Sequence, residues 1–177
     1  MRLDLTGPAY TDALWYVYTG AFNSTATIGE IDLWAYPAGA RAQAYEYDAF
    51  EYAGKIRYVF GHQCDYGNGK WDVWDMLHGT WVATSITCNL SLNAWHHIQL
   101  QFHRINGSNC SGYPCQYYDS ITIDGQVNAV NMVEPSGPYP TAWGTGNNTG
   151  LNIQLDTADA SSLTEYIDDA NLLLYGW

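Results

Sequence analysis

The stretch Trp95-His96-His97-Ile98-Gln99-Leu100-Gln101-Phe102-His103-Arg104-Ile105 alternates strictly along its middle. His97, Gln99, Gln101 and His103 fall on one parity and Ile98, Leu100 and Phe102 on the other. A period of two is that of a half-buried β-strand; an amphipathic helix would space its apolar residues three and four apart. The run 95–105 is therefore predicted as a strand with its apolar triplet turned inward. Comparable segments recur along the chain at 12–19, 27–36, 42–52, 56–63, 70–77, 117–124, 127–132, 150–156 and 164–175. Turn residues punctuate them: Pro37-Ala38-Gly39, Ala53-Gly54, Gly67-Asn68-Gly69, Asn106-Gly107-Ser108 and Asp124-Gly125. Asp124-Gly125 between Ile121-Thr122-Ile123 and Gln126-Val127 is a strong tight-hairpin signal, since both turn residues tolerate a left-handed backbone. Glu134 to Thr149 is rich in Pro, Gly and Asn and reads as a long surface loop. No segment sustains a helical period. The expectation is an all-β, two-sheet antiparallel β-sandwich, with residues 1–177 as a single domain.

Composition agrees with that class. A chain of 177 residues with 8 Trp, 15 Tyr and 17 Gly is rich in residues that strands and turns favour. Arg2, Arg41, Lys55, Arg57, Lys70 and Arg104 oppose 18 acidic residues, for a net charge of −12. That balance argues against nucleic acid, anionic membranes and polyanionic substrates. No apolar run is long enough to span a bilayer. The N-terminus Met1-Arg2-Leu3-Asp4 lacks the apolar stretch of a signal peptide, so the chain reads as a mature form or a fragment of a longer secreted protein. Cys110 and Cys115 bracket a short turn-rich loop that suits a local disulfide, which leaves Cys64 and Cys88 as the second pair. Four cysteines allow three connectivities, and four reduced buried thiols are the other reading. Disulfides would place the protein in an oxidising compartment, secreted, extracellular or periplasmic.

Within 42–52 stands Glu46-Tyr47-Asp48-Ala49-Phe50-Glu51, three acids in the pattern E-x-D-x-x-E. Carboxylates crowded on one strand raise one another's pKa, a cost most readily tolerated where acids do chemistry. Two carboxyl groups flanking a scissile bond are what glycoside hydrolysis requires. Glu46 and Glu51 are separated by an odd number of residues, so on a regular strand they face opposite ways. A β-bulge near Ala49-Phe50 would bring Glu51 to the face of Glu46 and Asp48. Without it only Glu46 and Asp48 share a cleft, and a binding protein is the better reading.

The run from Glu46 to Gly54 resembles the catalytic strand of family 16 glycoside hydrolases, endo-β-glucanases and relatives with a concanavalin A-like jelly roll. His62 on the next strand is similar to the family's downstream His. Trp95-His96-His97 and Ile121-Thr122-Ile123-Asp124-Gly125 resemble the W-H and strand-D-G signatures of the wider lectin and glucanase superfamily. The resemblance implies Glu46 as nucleophile, Glu51 as acid/base and Asp48 as the residue tuning them. It covers about residues 10–175 for the fold but a much shorter run for catalysis. The chain is short for the catalytic domain, and the second acidic string Gly29-Glu30-Ile31-Asp32-Leu33-Trp34 ends in Ala35 where the family's closing acid would stand.

Apolar sugar faces pack on aromatic rings, which makes Trp34, Trp71, Trp74 and Trp81 candidate platforms, with only one of Trp71 and Trp74 facing a cleft on a regular strand. His62, His97 and Gln99 are candidate polar contacts; His62 either lines the cleft or packs beside Cys64. The adjacent His96 and His97 point to opposite faces, and no zinc-like spacing exists, so no metal or cofactor is expected. The acids Asp156, Asp159, Glu165, Asp168 and Asp169 read as a solvated face or as a structural Ca²⁺ site. There is no nucleophile elbow, P-loop or dinucleotide fingerprint. The expected partner is a neutral polysaccharide or oligosaccharide, met by a monomer. The expected activity is a retaining endo-β-glycosidase with Glu46 and Glu51 as its pair. A lectin-like binding module of the same fold is the alternative, and a jelly-roll polysaccharide lyase is disfavoured by the acidic charge.

Overall fold

A computed structural model describes residues 1–140, 145–159 and 162–176, with Asn106 described for its backbone only. Its strands are β1 (Arg2–Leu5), β2 (Thr11–Gly20), β3 (Ile28–Gly39), β4 (Ala44–Gly54), β5 (Ile56–Asp65), β6 (Lys70–Asp75), β7 (Thr80–Thr87), β8 (His96–Cys110), β9 (Tyr113–Ile123), β10 (Gln126–Pro135), β11 (Gly137–Pro138), β12 (Gly146–Thr157) and β13 (Leu163–Tyr175). The first sheet runs β1-β13-β3-β8-β9-β10 and the second β2-β12-β4-β5-β6-β7, with β11 beside the start of β5. All pairings are antiparallel. Strands β1, β7 and β11 lie outside the sequence-read segments. In the loop expected over Glu134 to Thr149, β10 ends, β11 forms and β12 begins, while residues 141–144 lie outside the described residues.

The two sheets pack face to face. Ile98, Leu100 and Phe102 are fully buried, as their parity requires, and the Phe102 ring stacks across the sandwich on Phe60 of β5 at 4.2 Å between centroids. Tyr45, Tyr47 and Ala49 supply the inward parity of β4, and Ile31, Leu33 and Ala35 that of β3. The Asp124-Gly125 turn has φ of 51° and 80°, the left-handed pair that a two-residue hairpin needs between β9 and β10. Both expected disulfides are present, Cys64–Cys88 and Cys110–Cys115.

The W-H and D-G signatures hold each other. His96 Nδ1 donates to Asp124 Oδ2 at 2.8 Å, and the His97 backbone N–H donates to Asp124 Oδ1 at 2.9 Å. Ser91 closes the pin on the other ring nitrogen, with its hydroxyl 3.0 Å and its carbonyl 3.1 Å from His96 Nε2. The β9–β10 hairpin is thereby fastened to the loop that leads into β8.

Side chains from the first sheet shape one opening in the second. Strands β5 and β6 pair only from His62↔Val73 to Asp65↔Lys70. Beyond that they part, and the freed carbonyls of Val59 and Trp74 are met by Gln116 and Tyr118 of β9. Gln116 Nε2 donates at 2.9 and 3.2 Å, and the Tyr118 hydroxyl lies at 3.1 and 2.8 Å. Buried carbonyls without a ladder partner need such donors. The parting carries Trp74 to the rim of a groove.

Candidate functional site

The acidic strand settles the orientation of the candidate acids. Strand β4 pairs with β12 from Gly146↔Gly54 to Asp156↔Ala44 and with β5 from Ala44↔Asp65 to Ala53↔Ile56, both without a register shift. The bulge expected near Ala49-Phe50 is absent. Glu46 and Asp48 therefore face outward with Phe50 and Tyr52, while Glu51 turns inward with Tyr45, Tyr47 and Ala49. The place that Glu51 would take in the groove is held by Phe50.

Glu51 has a different partner. Its Oε2 lies 2.7 Å from Nε of Arg104, which reaches across from β8, and the two side chains are 3% and 5% exposed. Arg104 also donates through Nη2 to the Asn23 carbonyl at 2.9 Å and stands over the Phe22 ring. Burial pushes the Glu51 carboxyl up to about 7, with the Arg104 charge pulling the other way. This is a cross-sheet ion pair on the inward parity of β4, facing away from Glu46 and Asp48.

The outward face of the second sheet carries a groove in two lobes that share Asp48, Val59 and Gln154. One lobe, about 370 Å³, is walled by Leu14, Tyr16, Tyr18, Phe50 and Tyr52. The other, about 390 Å³, is walled by Glu46, Arg57, Trp74, Met76 and Trp81. Their rings are ordered: Tyr18 meets Phe50 edge-on at 5.7 Å, Phe50 stacks on Tyr52 at 5.1 Å, and Trp74 meets Trp81 at 5.0 Å. Two glycines make this approach possible. A Cβ on Gly150 would lie 2.1 Å from the Phe50 ring. A Cβ on Gly61 would lie 2.8 Å from Trp74 Cβ, 3.1 Å from Asp48 Oδ1 and 3.2 Å from the Trp81 ring.

Asp48 sits at the junction of the lobes, 8% exposed. Its Oδ2 accepts from Asn152 Nδ2 at 2.7 Å, and its Oδ1 has no hydrogen-bond partner among the described residues. Glu46, equally buried, faces Gln154 across the ladder. Both carboxyls are pushed above the ordinary range. For Glu46 burial is the main cause, reinforced by Asp156 and Asp48; for Asp48 burial again leads, opposed by the Asn152 amide and the His62 backbone N–H and reinforced by Asp156. A buried carboxyl of this kind donates to a ligand hydroxyl when protonated and accepts from one when ionised.

The other sequence candidates divide by parity. Trp74 faces the groove, as does Trp81. Trp71 does not: it is fully buried against Tyr47, which leaves one of Trp71 and Trp74 at the cleft. His62 is also fully buried, its Nδ1 against the Phe60 carbonyl and its ring beside Tyr118, and burial drives its pKa down to about 3. It packs next to Cys64 rather than lining the cleft. Trp34, His97 and Gln99 lie on the outward face of the first sheet, on the far side of the sandwich. There Trp34 stacks on His97 at 4.8 Å, and Asp32 binds both His97 and Gln99, at 3.0 and 2.9 Å. The carboxy-terminal acids do not assemble. Asp156 faces outward on the second sheet, Glu165 is fully buried against Tyr47, and Asp168 pairs across from Trp34 on the first sheet. Among the described residues no three His, Cys, Asp or Glu side chains form a metal-holding group.

Sequence reasoning missed Tyr16, Tyr18, Phe50, Tyr52, Asn152 and Gln154. The signal was present in the parity of Leu14, Tyr16 and Tyr18 on β2 and of Asn152 and Gln154 on β12. What it lacked was the pairing that lays those strands beside β4.

No family model matches the sequence, and no curated protein matches it. Among solved structures, the fold is similar to an alginate lyase, Aly36B, in complex with alginate tetrasaccharide. The identity is 10%, over 99% of this chain and 80% of that one, with a TM-score of 0.53. It is also similar to the marine PL-14 alginate lyase from Aplysia kurodai, at 9% identity over 97% of this chain and 89% of that one, with a TM-score of 0.52. At these identities the likeness establishes the architecture, a concanavalin A-like jelly-roll sandwich.

Proposed function

We propose that this protein binds a carbohydrate chain in the two-lobed groove, as a lectin-like module. The observation that carries the reading is the arrangement around Asp48: a polar floor of Asp48, Glu46, Asn152 and Gln154 between two aromatic walls. Rings supply platforms for apolar sugar faces, and a few convergent polar groups fix hydroxyls. Each lobe has the volume of a small-ligand pocket, so a bound chain would cross Asp48 from one lobe into the other. The lyases of similar fold act on alginate, a polyanion. Here carboxyl groups on the floor oppose a uronate, which favours a glycan without carboxylates, most simply a neutral polysaccharide or oligosaccharide. Two disulfides favour an extracellular, secretory or periplasmic setting.

Retaining hydrolysis through Glu46 and Glu51 lacks this support, because that mechanism needs both carboxyls on one face about 5–5.5 Å apart. Gel retardation and reducing-end release on mixed-linkage glucan, laminarin, xyloglucan, xylan and galactan test the reading together. The expected result is retardation by at least one glycan, lost in Trp74→Ala and kept in Trp34→Ala, with no reducing ends released. Release that disappears in Glu46→Gln would replace binding with hydrolysis. Retardation by none of them would overturn a neutral glycan as the ligand, and retardation lost in Trp34→Ala instead would overturn the groove as the site.

A further inference from the structure

The floor of the groove is acidic, and among the described residues none of its carboxyls is ion-paired to a lysine or arginine. Glu46, Asp48 and Asp156 share the outward face of β4 and β12, and Asp12 of β2 pairs directly with Asp156. The groove's basic side chain is Arg57, which pairs with Tyr52 while Asp48 pairs with Gly61. Four residues along β5 separate the Arg57 backbone by about 13 Å from the position opposite Asp48, and Arg57 makes no ion pair with Asp48 or Glu46. The other acid near the floor, Asp72, is already bound by Gln63 and Asn68. Asp48 is more than nine-tenths buried at the junction of the lobes; the Asn152 amide and the His62 backbone N–H support its carboxyl, and its Oδ1 has no hydrogen-bond partner of good geometry among the described residues. A buried carboxyl left this way is costly unless it is neutralised or meets a cation. The indoles of Trp74 and Trp81 stand against the same spot, and a cation over an indole face is attracted by it.

We infer that the groove selects glycans bearing free amino groups, a glucosamine-type chain, with the ammonium seated between Asp48, Glu46 and the Trp74–Trp81 pair. This rests on the groove being a glycan site and sharpens the charge of its ligand. An N-acetyl group would forfeit the attraction and bring an acetyl to the crowded floor at Gly61. An uncharged glucan would use the same aromatic walls without the ion pair.

The test is calorimetric titration at about neutral pH with three β-linked oligomers of equal length: glucosamine, N-acetylglucosamine and glucose. A charge-assisted hydrogen bond predicts at least about a tenfold tighter Kd for the glucosamine oligomer. That preference should collapse toward unity in Asp48→Asn and in Glu46→Gln, two near-isosteric variants whose folding is checked by their melting. Equal binding of all three oligomers, or binding of the uncharged ones alone, would overturn the amine preference and leave the glycan site standing. A preference that survives in both variants would trace it to the net charge of −12 and overturn the inference as well. Binding of none of the three, together with no retardation by the glycan panel, would remove both readings.

Discussion

Glu165 offers the sharpest test of the interior. It is fully buried between the sheets, where Oε1 accepts from the Tyr47 hydroxyl at 2.6 Å and Oε2 has no hydrogen-bond partner among the described residues. Burial pushes its carboxyl up to about 8 from 4.5, with the Tyr47 hydrogen bond pulling down. A carboxyl whose folded pKa lies above its unfolded value binds more protons when folded. Its contribution is therefore complete below about pH 4.5 and is lost as pH rises toward 8. Between pH 5 and pH 8 the unfolded chain gains about 2.6 pH units of ionisation free energy over the folded one, about 3–4 kcal/mol. Glu165→Gln abolishes that titration while keeping the acceptor for Tyr47. At pH 5 the variant should be less stable than wild type by about 1–3 kcal/mol, because its amide protons meet no acceptor. At pH 8 the difference should shrink or reverse, having moved by about 3–4 kcal/mol in favour of the variant. Urea unfolding of both proteins at the two pH values measures this directly, since the other buried carboxyls contribute equally to each. A stability difference that changes by less than about 1 kcal/mol between them would refute an elevated Glu165 pKa.

Other outcomes follow from the same packing. Gly61→Ala places a methyl 2.8 Å from Trp74 Cβ, so overpacking of about 1–3 kcal/mol should outweigh the ~0.4–1 kcal/mol gained from a stiffer unfolded chain. Urea unfolding should show a net loss, and glycan retardation should weaken with it. Glu51→Gln at about pH 8 leaves the Arg104 guanidinium buried without its carboxylate and should cost about 3 kcal/mol with glycan retardation unchanged. A stable variant with altered glycan handling would contradict the inward placement of Glu51. Removing Cys64–Cys88, a sequence separation of 24, should cost about 3 kcal/mol, against about 2 for Cys110–Cys115 with a separation of 5. Comparing melting of the two double serine variants orders them.

Alternation made the sandwich legible before any coordinates. The β8 parity, the Asp124-Gly125 hairpin and the Cys110–Cys115 disulfide are read from neighbours in sequence and depend on local geometry alone, and Cys64–Cys88 follows as the remaining pair. Strand β1 has charged residues at two of its four positions, and β7 is mostly small and polar, so neither carries an apolar period to detect. The site was harder, because parity tells which residues share a face without telling which face is the interior. Glu46, Asp48 and Glu51 needed one further fact, the unshifted ladders on both sides of β4, and no residue type in Ala49-Phe50 encodes it. Trp34 as a platform and His97 as a polar contact were equally plausible until the pairing of β3 with β8 put them on the other sheet. Tyr16 and Asn152 could be joined to the acids only through the long-range contacts of β2, β12 and β4.

The inward turn of Glu51 leaves this scaffold one inserted residue from a different chemistry. An extra residue between Asp48 and Glu51 would rotate every later side chain of β4 by half a period and carry Glu51 to the outward face that holds Glu46 and Asp48. The obstacle to that step is Arg104, which would be stranded in the interior by the move. An engineer would therefore begin with Arg104→Met, which removes the stranded charge, and only then lengthen the strand. Ancestral reconstruction could ask in which order a natural lineage made the same two changes.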